Sequence, residues 1–209
     1  MGETGLIPVF NHDDIEVAKK VLDASYRGGV RVFEFTHRGT NTLQVFSELA
    51  IEAKSYPGLC LGIGTIFNAS DARVFLKAGA DFVVSPAFVP EVADFCKAKS
   101  VLWIPGCATV TEIYWALEHG AQLIKAFPGN VLGPGFVKSV KAVYPKVPIM
   151  PTGGVKPTPD NLSAWFGAGV HCVGMGSQLF DNKEINDGGF DALADKIAMT
   201  LALIQKLRT

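Results

Sequence analysis

The sequence predicts a single (β/α)8 barrel of minimal length, and three observations favour this fold. Short apolar runs alternate eight times with longer stretches in which apolar residues recur at helical spacing. The runs are apolar almost throughout, as in parallel strands that are buried on both faces. Four successive runs close at Thr65, Ser85, Pro105 and Lys125, about 20 residues apart, which is the length of one minimal strand and helix.

The eight predicted strands share this apolar character and lie near residues 6–10, 30–36, 59–65, 80–86, 101–106, 122–127, 147–152 and 171–176. An open doubly wound sheet is the alternative, but no G-x-G-x-x-G follows the first run, and eight consecutive units favour closure. We therefore expect one TIM-barrel domain over residues 1–209, without room for a second domain.

Helix boundaries are also visible in the sequence. A helical pattern begins at Ile15 and ends in glycine at residues 28–29. Asn68 with Asp71, and Thr109 with Glu112, have the spacing of a helix N-cap followed by an acidic residue in the first turn. These signals place helices between the predicted strands.

Charge and hydropathy exclude several classes of function. With 19 Lys+Arg against 20 Asp+Glu, the chain has no broad field for a polyanion, so we expect no nucleic acid partner. No apolar stretch approaches the roughly 18 residues of a membrane span, and residues 1–6 lack the order of a secretory signal. Four single cysteines without C-x-x-C spacing indicate reduced thiols. We expect a cytoplasmic protein that does not bind membranes.

In a barrel of this kind the active site lies at the C-terminal ends of the strands. Among all the charged residues, one carboxylate, Glu34, and one lysine, Lys125, fall inside an apolar strand near that end. Alternation places Lys125 on one face with Leu123 and Phe127. An ammonium held among apolar side chains loses hydration, which favours the free amine that attacks a carbonyl. A lysine that reaches solvent, or one that only binds an anion, is the alternative.

Glu34, Thr36 and Arg38 alternate along the second predicted strand, so all three should face the interior or mouth of the barrel. A buried carboxylate can move protons, and the planar guanidinium of Arg38 suits a substrate carboxylate. An internal Glu34–Arg38 ion pair is the alternative. Thr65 offers a hydroxyl from the next strand.

The last two strands end in glycine-bearing loops, TGGV at 152–155 and GMGS at 174–177. Loops at these positions often bind phosphate through backbone N–H groups, which favours a phosphorylated ligand; tight turns without a ligand are the alternative. His12 and His37 lie near the predicted mouth without H-x-x-H or H-x-H spacing, and Asp13 and Asp14 are suited to open a helix. We therefore expect no metal site.

Five motifs fall in order on successive strand ends: Glu34-x-x-x-Arg38, GTIFN at 64–68, IPGCATVTE at 104–112, KAFP at 125–128 and TGGV at 152–155. With these, the chain resembles the 2-keto-3-deoxy-6-phosphogluconate (KDPG) aldolases, a group that includes 4-hydroxy-2-oxoglutarate (KHG) aldolases. The resemblance runs from about Ile7 to Leu179. It implies a class I pyruvate aldolase that acts on a small 2-keto acid, needs no metal or other cofactor, and forms homotrimers.

The resemblance also implies a role for each matching residue. Lys125 would form the Schiff base and Glu34 would shuttle protons, while Arg38 and Thr65 hold the pyruvyl carboxylate. The residues implied to wall or shape the pocket are Phe127, Pro86, Pro105 and Thr152, and those implied to receive the phosphate are Gly153, Gly154, Gly176 and Ser177.

Several positions depart from the family pattern, among them Gly129-Asn130, Ala87, Ala108, and the residues His37 and Gly39 that flank Arg38. They leave the aldehyde partner and its stereochemistry open. Two other functions remain as alternatives. One is a phosphosugar isomerase or epimerase that uses Glu34 as a base without a covalent intermediate, and the other is a non-catalytic barrel that binds a phosphorylated metabolite.

Overall fold

The structure is a computed structural model that describes residues 4–208; residues 1–3 and 209 of the predicted domain lie outside this range. The strands are β1 (Leu6–Phe10), β2 (Val32–Thr36), β3 (Cys60–Gly64), β4 (Phe82–Val84), β5 (Leu102–Ile104), β6 (Gly106–Cys107), β7 (Ile124–Ala126), β8 (Ile149–Pro151) and β9 (Val173–Met175). The helices are α1 (Ile15–Arg27), α2 (Thr42–Glu52), α3 (Ala69–Lys77), α4 (Pro90–Ala98), α5 (Val110–Glu118), α6 (Gly129–Val143), α7 (Pro159–Gly167), α8 (Asn182–Asn186) and α9 (Phe190–Leu207), with a 3-10 turn at Ala53–Ser55. The predicted α/β class with parallel strands is confirmed.

The strands form two parallel sheets, of six strands in the order β5-β4-β3-β2-β1-β9 and of three in the order β6-β7-β8. Proline lacks an N–H, so Pro105 divides the predicted fifth strand into β5 and β6. The carbonyl of Pro105 still accepts a hydrogen bond from the Lys125 N–H at 2.9 Å. At the other junction, Thr152 forms a parallel bridge with Gly174. These contacts join the two sheets around one interior.

Several strands begin one or two residues later than predicted, because the residues before them complete the turn that ends the preceding helix. The N–H of Val30 donates to the carbonyl of Ser25, and the N–H of Ala80 donates to that of Phe75, both at 3.0 Å. A glycine with positive φ precedes each donor, as such helix ends require.

The predicted helix starts are confirmed. Asn68 caps α3 by accepting the Asp71 N–H at 2.8 Å. Thr109 and Glu112 form a complete capping box at the start of α5. Asp14 caps α1 by accepting the N–H groups of the two residues after Ile15. Each cap fixes the loop that leads from a strand end into its helix.

Apolar side chains pack in two layers, which follow from strand alternation. The layer inside the barrel consists of Ile7, Val32, Phe82, Val84, Ile104, Leu123, Met150 and Cys172. The larger layer lies between strands and helices and includes Phe33, Phe35 and Ile124. Glu34 and Lys125 alternate with these outer-layer residues, so both point inward.

The interior is filled closely at Gly62, the register partner of Phe82. A methyl group at residue 62 would overlap the Phe82 ring. We therefore expect Gly62→Ala to lower the free energy of unfolding by about 1–3 kcal/mol, measured by urea denaturation. Gly167→Ala is the matched control, because nothing lies within 4 Å of that position and alanine favours a helix. Equal stabilities of the two variants would contradict this account of the interior.

The sequence predicts reduced thiols, and the four cysteines of the structure are free. Cys60 is exposed, and Cys96, Cys107 and Cys172 are buried, all four without a disulfide. Burial raises the pKa of the Cys107 and Cys172 thiols to about 12, which suppresses the reactive thiolate. Within residues 4–208, we find no helix with the length and apolar character needed to cross a membrane.

Candidate active site

Lys125 of β7 and Glu34 of β2 meet inside the barrel. The Lys125 Nζ donates to Oε1 of Glu34 at 3.4 Å, and their side chains are 5% and 0% exposed. The ammonium also lies 5.3 Å from the centre of the Phe127 ring. Two opposite charges held away from water are costly unless they are paired. The sequence predicted both residues near strand ends, and the structure brings them into contact.

Room for this pair comes from β3. Gly64 is the register partner of Thr36 on β2, and a side chain at residue 64 would overlap the carboxylate of Glu34. The second carboxylate oxygen, Oε2, is buried and has no hydrogen-bond partner among the described residues. Since buried polar atoms are normally paired, this oxygen is available to a substrate hydroxyl or a water molecule.

Two threonines, Thr36 and Thr152, line a cavity at the C-terminal ends of the strands. The Thr36 hydroxyl donates to the Phe10 carbonyl at 3.4 Å. Thr152 follows β8, and its Oγ1 is buried without a partner in the described part of the chain. Gly174 on β9 leaves space for that hydroxyl. The sequence placed Thr152 at the start of a glycine-bearing loop, and the family resemblance implied that it shapes the pocket.

This cavity, of about 1030 Å³, opens at the C-terminal ends of β1, β2, β8 and β9, and its wall includes Phe127, whose ring lies 5.3 Å from the Lys125 ammonium. The predicted site residues in its wall are Thr36, Arg38, Phe127, Thr152, Gly153, Gly154, Gly176 and Ser177. The predicted location of the site, at the C-terminal ends of parallel strands, agrees with this position.

Lys125 and Glu34 are not part of the wall of this cavity, and neither are three predicted pocket residues, Thr65, Pro86 and Pro105. These three residues follow β3, β4 and β5, on the other side of the barrel mouth. Thr65 has a φ of 66°, which is unfavourable for a residue with a side chain and is common at functional positions. The Pro86 carbonyl lies where a side chain at Gly106 would be, so Gly106 lets the backbone after β4 approach that of β6 closely.

Arg38 lies at the rim of the cavity and is exposed. Strand β2 ends at Thr36, so strict alternation does not extend to Arg38. The alternative of an internal Glu34–Arg38 ion pair is not observed, since Glu34 pairs with Lys125. His37 is not part of the cavity wall and packs against the Phe75 ring at 5.0 Å.

The two glycine-bearing loops lie next to each other in the cavity wall. Gly153 and Gly154 have φ values of 100° and 73°, which side chains rarely adopt. The Gly176 carbonyl accepts the N–H groups of Leu179 and Phe180. The first N–H groups of such a turn have no partner within it, and this arrangement suits an anion.

The cavity wall contains several other polar residues to which the sequence assigned no binding role, although it placed His12 near the mouth. Asn11, His12 and Asp13 follow β1, while Gln178 and Asp181 follow β9. The sequence signal for helix opening applies to Asp14, which caps α1, whereas Asp13 packs against Gly39. The sequence signal that could have identified these polar residues is their position directly after the C-terminal end of a strand. Within residues 4–208 no group of three or more His, Cys, Asp or Glu side chains is arranged to hold a metal ion.

Comparison with known proteins identifies relatives over nearly the whole chain. A family model described as KDPG and KHG aldolase matches residues 1–196. The 2-dehydro-3-deoxy-phosphogluconate aldolase of Treponema pallidum is 33% identical over 95% of this chain and 93% of that protein. The 2-dehydro-3-deoxy-6-phosphogalactonate aldolase of Escherichia coli is 37% identical, but its alignment covers only 57% of this chain and 58% of that protein.

A solved structure extends the comparison to the fold. The KDPG aldolase of Legionella pneumophila superposes with a TM-score of 0.85 at 25% identity, and the match covers 94% of this chain and 96% of that one. Its description states that pyruvate was captured as a covalent carbinolamine intermediate. That intermediate requires an amine nucleophile of the protein.

Proposed function

The chain belongs to the family of KDPG and KHG aldolases, and we propose that it cleaves 2-keto-3-deoxy-6-phosphogluconate to pyruvate and glyceraldehyde 3-phosphate. The family is one of class I aldolases, which are carbon–carbon lyases, so the alternatives of an isomerase and of a non-catalytic barrel are set aside. We also propose 4-hydroxy-2-oxoglutarate as a second substrate, which gives pyruvate and glyoxylate. The observation that carries the proposal is the buried contact of 3.4 Å between Lys125 and Glu34.

In the proposed reaction, Lys125 first transfers a proton to Glu34 and then attacks the keto carbon of the substrate. Glu34 then gives this proton to the hydroxyl of the resulting carbinolamine, which leaves as water; a protonated imine forms and Glu34 is again a carboxylate. Glu34 accepts the proton of the C4 hydroxyl, and the C3–C4 bond breaks as its electron pair moves into the imine. The aldehyde leaves, an enamine remains, and Glu34 returns a proton to C3. Addition of water to the imine then releases pyruvate and restores the amine.

Substrate binding divides between the two sides of the barrel mouth. We assign the pyruvyl carboxylate to the Arg38 guanidinium and the Thr65 hydroxyl, because a planar cation binds a carboxylate with two hydrogen bonds. Phe127 walls the pocket beside the imine, and Pro86, Pro105 and Thr152 shape it. The distal phosphate is assigned to the backbone of the two glycine-bearing loops, at Gly153, Gly154, Gly176 and Ser177.

The covalent imine serves as the electron sink of the proposed reaction, so we propose that the enzyme uses no metal or organic cofactor. We further propose a homotrimer located in the cytoplasm. Support for self-association comes from Trp115 of α5, which is 48% exposed, with Tyr114 and Val110 exposed on the same helix. Trp165 of α7, in contrast, is only 3% exposed and packs within its own barrel.

The substrate assignment is tested by pyruvate release from a panel of 2-keto acids. We expect the phosphorylated gluconate derivative to exceed its unphosphorylated form in kcat/KM by at least about tenfold, because the glycine-bearing loops add charge-assisted hydrogen bonds. The galactonate epimer and 4-hydroxy-2-oxoglutarate complete the panel. Equal turnover with and without phosphate would contradict the assignment of the glycine loops, and a preference for the galactonate epimer would reassign the substrate.

A further inference from the structure

The side chain of Arg38 has no ion-pair or hydrogen-bond partner in the described part of the protein. The backbone N–H of Arg38 donates to the Thr36 carbonyl at 3.0 Å. Because no described residue holds the guanidinium, the direction of the Arg38 side chain depends on the conformation of the loop between β2 and α2. On the β1 side, the Asp13 carboxylate packs against Gly39. On the β3 side, the loop is held by His37.

His37 makes three links to the segment that carries Thr65. Its N–H donates to the Gly64 carbonyl at 2.8 Å, and its ring packs against Phe75 of α3. Its Nε2 lies 4.0 Å from Oδ2 of Asp71. Thr65 lies in the connection from β3 to α3, so these contacts hold the residue before Arg38 against both ends of that connection.

Asp71 is itself held in place. Its Oδ2 accepts from the Asn68 Nδ2 at 2.8 Å, and its N–H donates to the Asn68 Oδ1. This makes Asp71 a fixed point at the start of α3, toward which the imidazole of His37 is directed. Asp71 on α3 is the charged group recorded near the ring.

Stability alone does not explain a histidine at position 37. Its Nδ1 is buried and has no partner among residues 4–208, which disfavours the folded state. The side chains of His37 and Asp71 are 35% and 38% exposed, and ion pairs with such exposure contribute little to stability. A leucine would pack on Phe75 without leaving an unpaired nitrogen. What leucine lacks is a polar group directed at Asp71.

We propose that His37 is a positioning residue, which acts with Asp71 to fix the loop of Arg38 relative to Thr65 and thereby sets the affinity for the substrate carboxylate. This inference rests on the proposed function, in which Arg38 and Thr65 bind that carboxylate. Because the contacts of His37 lie outside the cavity, it affects the carboxylate site through the backbone of its neighbour and does not touch the reacting atoms.

The test measures pyruvate affinity and turnover separately in the full-length protein. The half-saturating pyruvate concentration is obtained from borohydride trapping, and kcat from cleavage of the phosphorylated keto acid. For His37→Leu we expect the half-saturating concentration to rise by about fivefold, kcat to stay within about twofold, and the melting temperature to stay equal or rise. His37→Gln, whose amide can reach Asp71, should restore most of the affinity.

His119→Leu is the matched control, because His119 also packs against a phenylalanine ring, at 5.1 Å from Phe88, and lies at the end of α5 away from the mouth. We expect its pyruvate affinity to be unchanged. Asp71→Asn should reproduce the effect of His37→Leu, and the double variant should show no further loss, since both changes remove one interaction.

Arg38→Ala separates this inference from the function on which it rests. We expect it to raise the half-saturating pyruvate concentration by at least about tenfold. An unchanged value would overturn the assignment of the carboxylate site itself. A raised value for Arg38→Ala, together with wild-type affinity for His37→Leu, would overturn only the role of His37. A lower melting temperature and lower kcat for His37→Leu at unchanged affinity would show a merely structural role and would also overturn it.

Discussion

Replacement of Lys125 by arginine is expected to lower kcat for aldol cleavage by at least about a thousandfold. Arginine keeps the positive charge next to Glu34, but a guanidinium cannot form an imine with a keto acid. The measurement is borohydride reduction in the presence of pyruvate, followed by mass spectrometry of the peptide that contains residue 125. The wild-type peptide should gain the mass of reduced pyruvate, and the variant peptide should not.

Lys138→Arg serves as the control for this experiment, because Lys138 is an exposed residue of α6 and its replacement should leave both trapping and turnover unchanged. Circular dichroism of Lys125→Arg establishes that the barrel has folded. Substantial activity in a folded Lys125→Arg variant would exclude the imine mechanism and would support chemistry in which Glu34 acts as a base alone.

The second large effect is expected for Glu34→Gln, which should lower kcat by about 10²- to 10⁴-fold. The amide preserves the shape of the side chain but cannot accept the C4 hydroxyl proton or return a proton to C3. Exchange of the pyruvate methyl protons with deuterated water, followed by NMR, reports the C3 step directly. We expect exchange to slow in parallel with kcat, while the imine still forms on Lys125 during long incubation with pyruvate and borohydride.

Glu118→Gln is the corresponding control, since Glu118 is exposed at the end of α5. Exchange in this variant should equal that of the wild type. Exchange at the wild-type rate in Glu34→Gln would remove Glu34 from the C3 proton transfer and would favour Thr152, whose buried and unpaired hydroxyl lies in the cavity wall.

The fold could be predicted because its signals are local. Apolar runs, caps such as Asn68 and glycines at helix ends each act within a few residues, and the structure confirms them. The division of the fifth strand at Pro105 has a local cause as well, the missing N–H. The junction at Thr152 and Gly174 could not be predicted from the sequence, because that bridge joins segments brought together only when the barrel closes.

The candidate site could be predicted only in part, because some of its contacts join segments that are distant in sequence. Lys125 and Glu34 were identifiable because charge is rare inside apolar strands, but their contact depends on the arrangement of β2 and β7 around the interior. Alternation was extended to Arg38, but the strand ends at Thr36, so the place of Arg38 at the rim of the cavity depends on its loop. Asp13 and Asp181 enter the cavity wall through loops that are distant in sequence, and no local pattern reports such an approach.

Gly64 has a consequence for the transfer of this chemistry to other scaffolds. The carboxylate of Glu34 occupies the volume that a side chain at residue 64 would fill, although residue 64 belongs to a different strand and carries no reactive group. A designer who grafts the lysine and the glutamate onto another barrel would therefore also need a residue without a side chain on the adjacent strand. The transferable unit comprises three strands, and one of its essential components is an empty space.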